Sequence, residues 1–315
     1  MKKSGLISAG NVLVRNLSRG VLWIGLALCA YAIWEMLPQV AQARARIQSW
    51  QVVIIPICLM IIWALTVAAW RLIVLAFTST AIPWSSAFRQ SGLLLVGKYI
   101  PGGVFGFMAR AHDGDAAVSA RRHLAAGAYE QTTALLITTA TGAVLYLGAR
   151  LREPWWLIAI FLVPYGVAAV LPTLGSALSR VRGLQPVVIE VGKLASSRTL
   201  LCALFLQQLA VMSWMGIVVI VATGLYGLEW LPAIGVAGAF SLGISAGLLV
   251  LIAPGGIGIR ESAFAGLAVA FLPWQAALVC AAMLRMIAMV LDVCAGGIAA
   301  FIGAARDTHK TARGR

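Results

Sequence analysis

The chain has 315 residues, of which 61% are hydrophobic and only 11% charged, and its mean hydropathy is +0.94. Soluble domains carry about 25% charged residues, and one core of this size cannot bury so much apolar surface. That excludes a soluble enzyme, a nucleic-acid-binding domain and a disordered protein. The net charge of +14 reads instead as Lys and Arg crowding the cytoplasmic loops of a membrane protein, with attraction to anionic lipid headgroups as a second effect. At about 20 residues per span, the expected fold is an all-α polytopic helical membrane protein with about seven or eight transmembrane helices.

In chain order, Lys2, Lys3, Arg15 and Arg19 precede an apolar run over 20–39. Ala41-Gln42-Ala43 spells a signal-peptidase site, but the run exceeds the roughly 7–15 residues of a cleavable signal. It reads as an uncleaved first span with a cytoplasmic N-terminus. Further spans are predicted over 51–77, 125–148, 154–174, 199–226, 232–252 and 275–303. Trp50, Trp84, Trp155, Trp156, Trp230 and Trp274 fall at or beside predicted ends, as an interfacial aromatic belt requires. Gly243 and Gly247 form a G-x-x-x-G, a pattern that permits close helix packing.

Two other apolar segments, 84–108 and 253–272, are interrupted by Pro-Gly-Gly. Such a triplet breaks the helical hydrogen-bond ladder and frees backbone polar groups, which membranes tolerate only against protein or a water-filled cavity. Both segments therefore read as broken or re-entrant helices. The loop over 175–198 carries Arg180, Arg182, Lys193 and Arg198 and reads as cytoplasmic; 227–231 carries Glu229 and no cation and reads as external. The tail (304–315) carries Arg306, Lys310, Arg313 and Arg315, so it too is expected inside. With seven spans and two hairpins the tail would end outside, so either the second broken segment crosses, giving eight, or one span is miscounted; eight is the favoured count.

The broken segments resemble each other. One runs from Ser91-Gly92 through Leu93-Leu94-Leu95 to Pro101-Gly102-Gly103-Val104; the other runs from Ser245 through Gly247-Leu248-Leu249 to Pro254-Gly255-Gly256-Ile257. This suggests an internal repeat within one transmembrane domain: half one over about 20–148, a linking span over about 154–174 and half two over about 199–303. Paired interruptions of this kind in two halves point to a transporter's central site.

Charge in hydrocarbon costs at least about 2.5–3.5 kcal/mol at the helix centre, so ionisable residues there are functional candidates. Glu130, beside Gln131, lies in one predicted span. Arg285 and Asp292 lie in another, seven residues apart and hence on one helix face. These, with Glu261, are expected to set cavity polarity and coupling. Lys98 and Arg110 flank the first Pro-Gly-Gly, and Arg260 follows the second; these three are the candidates for binding a lipid headgroup phosphate, helped by backbone N–H groups freed at the break. Glu261 also fits the first turn of a new helix, where the dipole favours an acid.

Catalytic chemistry is poorly supplied. Cys29, Cys58, Cys202, Cys280 and Cys294 all lie in apolar runs without C-x-x-C spacing, and His112, His123 and His309 lack zinc spacing. Asp113 and Asp115 are too few oxygen ligands for Mg²⁺. The Gly-Ile-Ser-Ala-Gly at 243–247 sits in a span rather than on a strand–turn–helix elbow. No catalytic residue, metal or cofactor is expected. The expected partners are membrane lipids, with a second copy of the chain or an envelope-biosynthesis enzyme as protein partners, and no nucleic acid.

The run Ala253-Pro254-Gly255-Gly256-Ile257-Gly258-Ile259-Arg260-Glu261 resembles the P-G-G-x-G-x-R-E signature of the lysylphosphatidylglycerol synthase transmembrane region family, the flippase-like membrane proteins. Gly97-Lys98-Tyr99-Ile100-Pro101-Gly102-Gly103, followed by Arg110 and Glu130, is similar to that family's earlier motif. The resemblance covers roughly 15–305. It implies an inner-membrane protein that moves a lipid headgroup across the bilayer, as a stand-alone member without the aminoacyl-transferase domain. Stand-alone relatives are linked to other lipids, including polyprenyl-linked sugars and hopanoids. The rival readings are a membrane glycosyl- or phosphotransferase and a scaffold subunit of an envelope-lipid pathway.

Overall fold

A computed structural model of the protein describes residues 34, 49–100, 105–113, 120–153, 155–178, 198–249 and 258–313. The first predicted span (apart from Trp34), most of the 175–198 loop, and the triplets Pro101-Gly102-Gly103 and Pro254-Gly255-Gly256 lie outside the described residues. Within them are nine helices and no strand: α1 (Ser49–Thr78), α2 (Trp84–Gly97), α3 (Phe105–His112), α4 (Ala120–Leu151), α5 (Trp156–Leu178), α6 (Arg198–Tyr226), α7 (Trp230–Leu249), α8 (Ile259–Ala268) and α9 (Trp274–Arg313). Six of them (α1, α4, α5, α6, α7 and α9) are long and apolar enough to cross a membrane. The protein is an all-α polytopic membrane protein.

Exposed Trp50, Trp84, Trp230 and Trp274 stand at or next to the first residues of α1, α2, α7 and α9, and exposed Trp155 precedes α5. Trp156 instead turns inward against Gly148. Pro56 in α1 and Pro164 and Pro172 in α5 are accommodated without ending those helices, as is common where neighbouring groups re-satisfy the backbone.

Both broken segments turn back on themselves. α2 stops at Gly97, and the N–H groups of Tyr99 and Ile100 reach only to the Val96 and Gly97 carbonyls, each at 3.2 Å. Ile100 precedes a proline, which disfavours helical backbone. α3 then returns antiparallel to α2: Gly106 packs on the backbone of Leu94 and Gly97, and Arg89 Nε donates to Asp113 Oδ1 at 2.6 Å. In the second segment α8 returns along α7. Gly243 lies against the Arg260 carbonyl and Phe264, the Phe240 and Phe264 rings meet edge to face with centroids 5.7 Å apart, and Phe271 covers Gly235. The expectation that the second segment crosses is therefore not met. Gly243 of the G-x-x-x-G serves this hairpin.

The hairpins come in from opposite faces. Gln51 Nε2 donates to the Ile220 carbonyl at 2.9 Å and Tyr226 OH to the Ala276 carbonyl at 2.9 Å. The start of α1, the end of α6 and the start of α9 thus share one face, from which α7 also begins. Arg71 Nε, near the other end of α1, donates to the Ile82 carbonyl at 2.9 Å, so α2 begins from the opposite face. α1 and α6, the most extensively packed pair, run antiparallel through fully buried Trp70, Ile73, Leu200, Leu204 and Ile217.

Exchanging α1 with α6, α2 with α7, α3 with α8 and α4 with α9 carries the set of helix–helix contacts among these eight into itself: α2 packs on α9 as α7 packs on α4, and α3 on α4 as α8 on α9. Because α1 and α6 are antiparallel, the two halves have inverted orientation, with α5 between them. The equivalent crossings use small residues. A Cβ on Gly92 of α2 would fall 2.7 Å from Ala299 Cβ of α9, and one on Gly142 of α4 would fall 2.8 Å from Ser241 Cβ of α7. Close backbone approach is what binds helices in lipid, where burial of apolar surface between helices is not a driving force.

Candidate functional site

The tip of the first hairpin and the start of α8 converge on α9. Asp292 lies two to three residues beyond the centre of the apolar stretch Trp274–Ala305, and Arg285 lies four to five residues before it, so they bracket the middle of the span on one face. Asp292 is buried. It accepts from Lys98 Nζ at 2.7 Å and from Tyr99 OH at 2.6 Å, both from the hairpin tip. Arg285 is paired with Glu261 in the first turn of α8, and Glu261 also accepts the Gly258 N–H at 2.8 Å. Gly258 sits at the N-cap with φ +85°, a conformation that disfavours any side chain.

Arg260 completes the cluster. It lies within electrostatic reach of Glu261, Arg285, Tyr99 and Asp292, and its guanidinium rests 4.8 Å from the centroid of the Phe240 ring. No described residue forms an ion pair with it. The cluster thus gathers three cations, Lys98, Arg260 and Arg285, around two acids, Glu261 and Asp292. Lys98 is the most open, with its side chain 42% exposed.

Of the predicted residues, Lys98, Arg260, Glu261, Arg285 and Asp292 are brought together, and the other three are placed elsewhere. Arg110 donates to Glu130 at 2.5 Å, both side chains at most 5% exposed. Its guanidinium also stacks on Trp70, 3.2 Å from the ring centroid. This pair joins α3 to α4 and is closed off by Gln207, whose Nε2 donates to the Glu130 carbonyl at 3.3 Å. Gln131 is half-buried on the next position of α4. The pairing of Arg285 or Asp292 with each other or with Glu130, an alternative left open by spacing, gives way to Lys98–Asp292, Arg285–Glu261 and Arg110–Glu130.

No family model, curated protein or solved structure matches the chain.

Tyr99, Gln207 and Gln208 are site and support residues that sequence reasoning missed. For Gln207-Gln208 the signal was present: two adjacent amides inside an otherwise apolar 29-residue helix. Both are buried, and Gln208 Oε1 accepts from Thr141 Oγ1 at 3.1 Å. Arg89–Asp113 is the fourth ion pair among the described residues, and it accounts for Asp113 as a hairpin staple. Cys58, Cys202, Cys280 and Cys294 are free thiols.

Proposed function

We propose that this protein binds a phosphate-bearing lipid between its two hairpins and moves the headgroup across the bilayer, as a flippase-like protein of a bacterial inner membrane. The observation that carries this reading is the convergence of two returning hairpins, from opposite faces, on a cluster beside the middle of the α9 span with more cations than acids. Inverted repeats with broken helices meeting at the midplane are the architecture of many transporters, and an Arg such as Arg260, with no ion pair to a described residue, is costly at that depth and a functional candidate by default. The cargo is an anionic or glycosylated lipid, with polyprenyl-linked sugars among the candidates; the motif resemblance to flippase-like proteins points the same way. Lys98, Arg260 and Arg285 would hold the phosphate. Arg110, being enclosed, is assigned to holding α3 on α4.

Orientation follows from charge. The face where α1 ends also receives the ends of α3 and α9 and the starts of α4 and α6, with Arg121, Arg122, Arg198 and Arg306. The positive-inside rule makes this the cytoplasmic face, which puts the basic tail inside because α7–α8 returns rather than crosses.

The test is leaflet exchange in liposomes with labelled phosphoglyceride, polyprenyl phosphate and polyprenyl-linked sugar. Exchange by the wild type, reduced at least about tenfold in Arg260→Ala, is expected from the loss of one charge-assisted contact. Exchange of none of these lipids overturns the reading. Product formation from a lipid phosphate with a divalent metal would identify a transferase instead, and an envelope-lipid phenotype indifferent to Arg260→Ala and Lys98→Ala would identify a scaffold.

A further inference from the structure

Within the cluster the two acids are held very differently. Asp292 is buried to 1% exposure and fixed by two donors from the other hairpin. Glu261 is 20% exposed and lies on the short helix α8, three residues after a glycine of positive φ. What Glu261 touches is distinctive: one guanidinium, from Arg285, and one backbone N–H at a helix start, from Gly258. Those are the two donor types that hold a phosphate group. Arg260 is adjacent and without an ion pair to a described residue, and Lys98 stands partly open. The equivalent pair of the other half, Arg110–Glu130, has its charges exchanged: the cation is on the return helix and the acid on the long one. Its guanidinium is already sandwiched between Glu130 and Trp70, so no cation there is left over.

We propose that Glu261 is an internal stand-in for the ligand: a lipid phosphate monoester binds by displacing the Glu261 carboxylate from Arg285 and from the Gly258 N–H, with Arg260 and Lys98 completing its donors. This rests on the reading of the cluster as a lipid-phosphate site. It makes the empty protein self-blocked, and it reverses the usual sign of a mutation, since removing a site residue strengthens binding. A purely structural Glu261, acting as the cap of α8, predicts no gain.

The experiment measures binding of dihexanoyl phosphatidic acid, farnesyl phosphate and inorganic phosphate to purified full-length protein in detergent, for wild type, Glu261→Gln, Glu261→Ala, Arg260→Ala, Arg285→Ala and Glu261→Gln/Arg285→Ala. Glu261→Gln, which keeps the side chain's shape, is expected to bind about fivefold more tightly than wild type, the scale of one partly open ion pair removed from competition. That gain is expected to vanish in the Arg285→Ala background, and Glu261→Ala gives a second reading should Glu261→Gln misfold. A gain shared by all three probes assigns recognition to the phosphate alone, and a gain confined to one lipid names the source; both support displacement. Wild-type binding that is lost in Arg260→Ala but equal or weaker in both Glu261 variants overturns displacement and leaves the phosphate site standing. Binding by neither wild type nor Glu261 variants overturns both.

Discussion

The two hairpins occupy equivalent places and are fastened by opposite means. The first is anchored by charge on both sides: its tip reaches across to Asp292 through Lys98 and Tyr99, and its return helix is locked to α4 by Arg110–Glu130. The second rests on α4 through neutral hydroxyls, with Thr139 Oγ1 donating to Ser245 Oγ at 2.9 Å and Ser241 Oγ to the Thr138 carbonyl at 2.9 Å. Its only described ion pair is the more open Arg285–Glu261. One architecture thus encloses its ion pair in one half and leaves it more open in the other. The lesson is that a repeated fold does not imply a repeated role: equivalent ion pairs differ in how exposed they are and in which donors lie nearby.

The largest expected effect separates the two ion pairs by stability. Glu130→Ala strands Arg110 in the interior and is expected to cost about 3–5 kcal/mol, with most of it recovered in Arg110→Met/Glu130→Leu. Glu261→Ala, at a partly open site, is expected to cost about 1 kcal/mol or less. Thermal melts in detergent decide this, and equal losses would erase the contrast. Next in size are the crossings. Gly92→Leu and Gly142→Leu force a side chain into the facing helix and are each expected to cost about 1–3 kcal/mol. Gly216, with nothing within 4 Å of its would-be Cβ, is expected to gain up to about 1 kcal/mol as Ala.

Smaller still is a charge exchange at the second hairpin. Glu261→Arg/Arg285→Glu keeps an ion pair there and is expected to shift stability by no more than about 1 kcal/mol, while binding of dihexanoyl phosphatidic acid falls; unchanged binding would show that polarity at this pair is irrelevant. The last prediction concerns orientation alone. In a chain stripped of its own thiols, cysteine at Thr80 and cysteine at Gly227 are expected to react with an impermeant maleimide from opposite sides of sealed vesicles. Labelling of both from one side would break the inverted relation of the hairpins.

The long spans were legible because apolar length is a local property: 199–226 was predicted and Arg198–Tyr226 is found. Ends were less so. α4 starts at Ala120 rather than 125 and α9 runs to Arg313 rather than 303, since Arg121, Arg122 and the polar end of α9 continue a helix beyond its apolar part. The break positions were readable from Pro and Gly, but the path after the second was not. Residues 232–252 have the length of a complete span, and it takes tertiary contacts such as Phe271 on Gly235, Phe264 on Phe240 and the Arg260 carbonyl on Gly243 to show that the chain comes back. Nothing local links Lys98 to Asp292, 194 residues apart, or distinguishes Arg110, which is enclosed, from Arg260, which is not. Those outcomes depend on which helices meet.

Among the described helices α5 has no counterpart in the exchange of halves, and its consequence is one of parity. From the start of α1 to the start of α6 the chain passes through the bilayer three times, by α1, α4 and α5, so the later half is inserted upside down. A gene encoding one half alone would need its product to settle in the membrane in both orientations before two copies could clasp as these halves do. Joining the halves through one odd helix sets their opposite insertion within a single chain.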